Sequence, residues 1–212
     1  MKNQLQSRRQ FLRKLTAASA LTLLPTMAAQ AQGRQVDRVG LQLYTLRKEM
    51  TNDFEGTLER VAELGYKEME FAGYYGRSAG EVRDLLDRLG LSSPASHISL
   101  DLIRNDLNKQ IDIAAEIGQS YIVIPSVPAA ERTLSDFEKH AETLNEVGQK
   151  CKEAGLTIVY HNHSFEFETQ GAGTGYEHLL AQTDANTVYF ELDLYWACLL
   201  YTSPSPRDAT LS

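Results

Sequence analysis

Eleven residues carry the densest chemistry in the chain: Thr157-Ile-Val-Tyr-His-Asn-His-Ser-Phe-Glu-Phe167. The segment opens as a β-branched run and closes in two histidines, an asparagine and a glutamate. Successive side chains of a strand point to opposite faces, so Thr157, Val159 and His161 share one side. His161 then sits at the strand's C-terminal tip, with His163 and Glu166 just beyond it. Neutral imidazoles and carboxylates gathered in this way suit a divalent metal or a polyhydroxylated ligand. The plainer alternative is a solvated strand end whose polar groups only hydrogen-bond backbone. Asn162 points to the opposite side and reads as a loop brace.

Other strand ends offer further candidates. Asp193 closes a run in which Glu191 shares its face, so one of the two is expected in a pocket; the other role open to Asp193 is a helix N-cap. His97 near the tip of a third strand can bind a sugar hydroxyl. Glu70 shares a face with Glu68, where carboxylates serve either a ligand or a packed helix. Tyr44 and Trp196 can stack on a sugar ring, although packing is the expected role of Tyr44. His140 and His178 lie on helical patterns and read as surface residues.

The elements that must position these residues alternate between two periods, short β-rich runs and longer helical patterns. That alternation is the signature of βα units on a parallel sheet. Strands are expected at Val39–Tyr44, Lys67–Phe71, Leu91–Ile98, Tyr121–Pro125, Thr157–His161 and Val188–Asp193. The fourth reads as buried throughout. Helices are expected from about Asp53 to Gly65, with Leu58, Val61, Ala62 and Leu64 buried, and at Ala79–Leu89, Asn105–Ile117, Leu134–Ala154 and Tyr176–Gln182. The fold class is therefore α/β, and the repeated helix–Gly–strand punctuation points to a (β/α)8 TIM barrel. Such a barrel takes roughly 250 residues and eight strands; about six βα units are present here.

Residues 1–31 form a leader. Ser7-Arg8-Arg9-Gln10-Phe11-Leu12 is a twin-arginine signal, Leu15–Met27 is weakly apolar, and Ala29-Gln30-Ala31 offers an A-x-A cleavage site. The apolar run is too short, and too broken by Thr22 and Pro25, to span a bilayer comfortably. Periplasmic localisation follows as an expectation, with the Tat translocase as a transient partner and no stable membrane association. The leader holds five cations and no acid, so its removal takes the formal net charge from −7 to −12. A body this acidic repels nucleic acid. Cys151 and Cys198 are not expected to form a disulfide. Residues 32–197 make up the barrel domain.

Residues 198–212 break the pattern, reading Cys-Leu-Leu-Tyr-Thr-Ser-Pro-Ser-Pro-Arg-Asp-Ala-Thr-Leu-Ser. This string resembles the in-frame translation of a transposon-based sequencing-library adapter, which implies a non-native tail and a natural sequence known to about Ala197. Six strands would leave two unpaired parallel edges, which invite aggregation. Residues 1–212 expressed as written are thus expected to be poorly soluble and inactive.

The phrases Tyr160-His-Asn-His163 with Phe165-Glu-Phe167, Val39-Gly-Leu-Gln-Leu-Tyr-Thr-Leu46, Gly65-Tyr-Lys-Glu-Met-Glu-Phe-Ala-Gly73 and Phe190-Glu-Leu-Asp-Leu-Tyr-Trp196 resemble the xylose-isomerase-like TIM-barrel superfamily, often labelled sugar phosphate isomerase/epimerase. The resemblance spans residues 36–197. It implies one divalent metal (Mn, Mg, Co or Zn) held by Glu, Asp, His and Glu from strands five to eight, and proton transfer next to a sugar carbonyl. On that pattern Asp193 and His161 are the expected metal ligands, His161 standing where the family carries glutamate and Glu166 being a replacement for it. Glu166 and His163 are the expected acid/base groups. His97, Glu70 and Trp196 are expected to touch substrate, Trp196 standing where some epimerases carry a histidine.

The implied function is a periplasmic, metal-dependent sugar isomerase or epimerase that abstracts a proton α to a carbonyl of a sugar or keto-sugar. An exported enzyme rarely meets sugar phosphates, so a free or oxidised sugar is the expected substrate. Two alternatives use the same scaffold: a keto-glycoside lyase or hydratase, and a non-catalytic sugar-binding protein. Endonuclease-type DNA repair, another activity of the superfamily, is disfavoured by the acidity. Homo-oligomerisation is compatible with the sequence.

Overall fold

A computed structural model describes residues 38–199; the expected leader and most of the expected tail lie outside the described residues. Six parallel strands form one sheet in sequential order: β1 (Gly40–Gln42), β2 (Glu68–Phe71), β3 (Ser92–His97), β4 (Tyr121–Ile124), β5 (Thr157–His161) and β6 (Val188–Glu191). Between them run α1 (Arg47–Asn52), α2 (Phe54–Glu63), α3 (Ala79–Leu89), α4 (Leu100–Ile117), α5 (Leu134–Glu153) and α6 (Gly175–Gln182), and α7 (Leu194–Leu199) follows β6. This is the TIM-barrel-like α/β architecture expected. Among the described helices none is long and apolar enough to cross a membrane.

Local chemistry explains the boundaries. α3 starts with a reciprocal capping box, Ser78 accepting from Glu81 N and Glu81 accepting from Ser78 N, which satisfies two of the helix's orphan donors. It stops at Gly90, and α4 stops at Gly118, both in the left-handed conformation that glycine adopts without strain. α5 and α6 open with the same box, built on Thr133–Asp136 and Thr174–Glu177.

Several expectations need correction. The first strand ends at Gln42, because the Gln42 side chain accepts from Tyr44 N and turns Leu43–Leu46 into a 3-10 turn. α4 begins at Leu100 rather than Asn105, with a non-helical kink at Asp106. Leu64 is exposed because it lies past the last turn of α2. Tyr121 is exposed at the mouth of β4, while Ile122–Ile124 are buried. His140 is only 2 % exposed, because the Glu131–Arg132 loop folds over α5 and the Glu131 carbonyl pairs with His140 Nε2 at 2.9 Å.

The sheet has two distinct faces. Ile122, Ile124, Ile158, Tyr160 and Val188 pack under α4, α5 and α6 in one core; Leu43, Met69 and Phe71 pack under α2 and α3 in another. The opposite face is small at its base, where Ala95, Val123 and Val159 form a separate apolar cluster. Two residues further along the same strands stand His97 and His161. Close approach of α5 to the sheet requires Gly148, where a Cβ would meet Thr187 O at 2.9 Å and Ile158 Cγ2 at 3.2 Å.

Candidate functional site

The C-terminal ends of the strands bring Gln42, Glu70, His97, His161 and Glu191 together. Parallel register makes this inevitable: Gln42 pairs with Glu70, and His161 with Glu191, as Cα neighbours on adjacent strands. His161 Nδ1 lies 2.9 Å from Glu191 Oε1. His97 Nε2 lies 3.4 Å from Glu70 Oε2 and 3.6 Å from Glu191 Oε1. The two imidazole rings stand 5.0 Å apart.

Each imidazole is held by a partner. Tyr44 N donates to Gln42 Oε1 at 2.7 Å, which turns the amide nitrogen of Gln42 toward His97 Nδ1 at 3.2 Å. Nδ1 therefore accepts, and the proton of the neutral ring sits on Nε2, facing the carboxylates. Burial works against charging His97, but hydrogen bonding and attraction from Glu191 and Glu70 outweigh it and raise its pKa to about 9. Full protonation also requires the Gln42 amide to turn its oxygen toward Nδ1. Burial likewise opposes ionisation of Glu191, yet bonds from His161 and His97 hold its carboxyl far below the usual carboxylate range.

Donor atoms from His97, His161 and Glu191, one from each, lie within 4.8 Å of one another. His97 Nε2 is buried and makes no hydrogen bond of good geometry. Two imidazole nitrogens and a carboxylate oxygen, one donor lacking a proper partner, fit a divalent cation. Of the two expected ligands, His161 is thus in the cluster and Asp193 borders it. Asp193 Oδ2 is 3.7 Å from His161 Nε2, while Oδ1 accepts from Trp196 N at 3.0 Å and caps α7.

His163 stands beside this cluster, in a stack of planar groups. Its ring is 5.1 Å from those of His161 and Trp196 and 6.0 Å from Phe165, over which Arg132 places its guanidinium carbon at 3.4 Å. Burial, then the nearby charge of His161, push the His163 pKa down. Its Nδ1 is buried without a hydrogen-bond partner.

Glu166 is elsewhere. It is fully buried on the helix-packed side of β5, accepting from Tyr160 Oη at 2.9 Å and from His163 N at 2.8 Å. Burial raises its pKa. Asn162 is the brace that was expected: fully buried, it accepts from Asp193 N at 2.9 Å and donates to Asp193 O at 3.3 Å. The expected packing role of Tyr44 is not observed, since the side chain is 58 % exposed with Arg47 over its ring. Gln42 and Arg132 were not anticipated. The lone polar residue in Gly40-Leu-Gln-Leu43 was the signal for Gln42, because alternation puts it on the face opposite Leu41 and Leu43. Nothing in the sequence signalled Arg132.

The family model described as xylose isomerase-like TIM barrel matches residues 58–198. The chain belongs to that family. Among solved structures, a sugar phosphate isomerase/epimerase from Parabacteroides distasonis is 30 % identical, with a TM-score of 0.67 over 85 % of this chain and 73 % of that one. An L-ribulose 3-epimerase is 17 % identical, with a TM-score of 0.56 over 76 % and 62 %. The IolI protein with a bound zinc atom is 12 % identical, with a TM-score of 0.55 over 71 % and 60 %. The last two share the fold alone. No curated protein matches the chain in sequence.

Proposed function

We propose that this protein is a metal-dependent carbohydrate isomerase or epimerase that works in the periplasm after twin-arginine export. The observation that carries the reading is the convergence of His97, His161 and Glu191 at three strand ends, the edge where active sites of this architecture lie. The names of the Parabacteroides and L-ribulose proteins agree with the reaction class, and the zinc on the IolI structure agrees with the cation. Two nitrogens in the donor set favour Zn, Co or Mn over Mg, which prefers oxygen ligands. The cation, when bound, supplies Lewis-acid polarisation of a substrate oxygen.

The remaining work falls to side chains. His163, whose pKa burial pushes down and whose ring stands 5.1 Å from that of His161, accepts the proton from the carbon next to the carbonyl. Trp196 packs on His163 and offers a surface for the sugar. Glu70, beside His97, is placed to accept a hydrogen bond from a substrate hydroxyl. Glu166 is a positioning residue, holding the His163 backbone from behind the strand. A free or oxidised sugar is the substrate class.

Two measurements test the reading. Mn(II) binding is followed by electron paramagnetic resonance, with saturation at one equivalent expected and loss in His161→Ala. Exchange of the α-proton of a ketohexose in D₂O is followed by NMR; loss of a substituent instead would move the assignment to a lyase. Absence of both stoichiometric cation binding and exchange would leave only a sugar-binding scaffold.

A further inference from the structure

A second group of polar residues lies past the end of β1, where Gln42 links it to the histidine cluster. Arg47 places its guanidinium carbon 4.4 Å from the centre of the exposed Tyr44 ring, and its Nη1 donates to Tyr44 O at 3.0 Å. Arg47, Lys48, Thr51, Asn52 and Tyr75 line a cleft of about 460 Å³ between α1 and the loop after β2. Five of the eight arginines among the described residues are paired with carboxylates; Arg47, Arg77 and Arg132 are the exceptions. Arg132 lies over Phe165 with its Nη2 donating to Val127 O, and Arg77 lies over Phe54. Of the nearby acids, Asp53 is committed to Arg60 at 3.6 Å and Glu55 to Arg88 at 3.3 Å, while Glu49 of α1 pairs with neither Arg47 nor Lys48. Lys48, like Arg47, makes no ion pair among the described residues.

Tyr75 adds an independent sign of a built site. It is the only non-glycine among the described residues with positive φ, at 52°, a conformation that costs a bulky residue of order 1–2 kcal/mol. Its ring is held at 5.9 Å from Phe54. On a protein of net charge −7, two cations with no carboxylate partner beside an aromatic ring in an open cleft are unexpected for solubility alone.

We infer that the Arg47–Lys48–Tyr75 cleft binds the anionic end of the carbohydrate, a carboxylate or a phosphate, whose sugar ring passes over Tyr44 toward His97. A guanidinium and an ammonium provide charge-assisted donors for such a group, and the tyrosine face covers the ring. This inference rests on the carbohydrate reading above and narrows its free or oxidised sugars to sugar acids, a sugar phosphate being the other anion that the test separates.

The test is an NMR titration of the isotope-labelled protein with glucuronate, glucose 6-phosphate and glucose. At least one anion is expected to move the amide resonances of Arg47, Lys48, Thr51 and Asn52 at about one tenth of the glucose concentration needed, about 1.4 kcal/mol. Response to glucuronate alone assigns a carboxylate; response to both anions assigns an anion site that also takes phosphate. The double variant Arg47→Met/Lys48→Met should erase the preference while leaving Mn(II) binding unchanged. Equal response to all three sugars, shifts confined to other residues, or a preference that survives the double variant would overturn the inference. Failure of Mn(II) binding with the anion preference intact would instead sink the metal reading and leave this site standing.

Discussion

His161 and Glu191 are register partners on neighbouring parallel strands, their side chains meeting at 2.9 Å on the rim of the sheet. Because both come from rigid strand ends, cation binding should depend steeply on each. Glu191→Gln and His161→Ala should each weaken Mn(II) affinity by more than about 100-fold, beyond the usual loss for outer residues of a metal site. Asp193→Asn should cost about tenfold or less by the same scale, since one of its oxygens is spent capping α7. Equal losses at Asp193 and Glu191 would reassign the carboxylate ligand.

Protons and the cation compete for His97. With its pKa raised to about 9, Mn(II) affinity should climb as pH rises from 6.5 toward 9, by up to about tenfold per unit for one displaced proton. The stability of the metal-free protein moves the other way. A histidine raised above its unfolded pKa of ~6.5 stabilises fully below that value, and the contribution is lost as pH rises through the folded pKa. Thermal melts of the chelated protein between pH 6 and 9.5 should show a falling Tm, and His97→Gln should flatten that slope.

Gln42 offers a gain-of-function test. Its amide nitrogen faces His97 Nδ1, which keeps the ring proton on the nitrogen that a cation would need. Gln42→Glu accepts from both Tyr44 N and His97 Nδ1, moving the proton away from Nε2. Mn(II) binding should tighten by about tenfold, the scale of a carboxylate–histidine pair behind a metal; unchanged or weaker binding would show that His97 coordinates nothing.

Glu166 should report on stability rather than on the cation. Glu166→Ala strands the Tyr160 hydroxyl and the His163 amide in a buried place, a loss of about 2–4 kcal/mol in urea unfolding. Mn(II) affinity should change by less than about threefold, since no ligand is touched. A large loss of affinity with little loss of stability would return Glu166 to the site itself.

Much of this was legible because strand alternation is a strict rule. His161 at the tip of an apolar strand, Glu191 on the face of its run, and Asn162 turned away are all set by period two. The glycines at 90 and 118 ended their helices as expected. What escaped were interactions between elements distant in sequence. Gln42 meets His97 across 55 positions, and no local pattern reveals that pairing. Glu166 looked like site chemistry because it is near His163 in sequence, yet the 3-10 turn at Phe165–Phe167 sends it behind the strand to Tyr160. His140 looked exposed on its helix until the preceding loop folded over it.

The residues of the rim come from β1, β2, β3, β5 and β6, so no fragment shorter than residues 42–191 holds the whole cluster. The strands from β3 to β6 must be paired before the two histidines and Glu191 meet, and such non-local pairing closes slowly. A cation has no high-affinity foothold on the nascent chain and cannot template early folding. Uptake of Mn(II) during refolding should lag the recovery of helical circular dichroism, which makes the bound cation a clock for completion of the sheet.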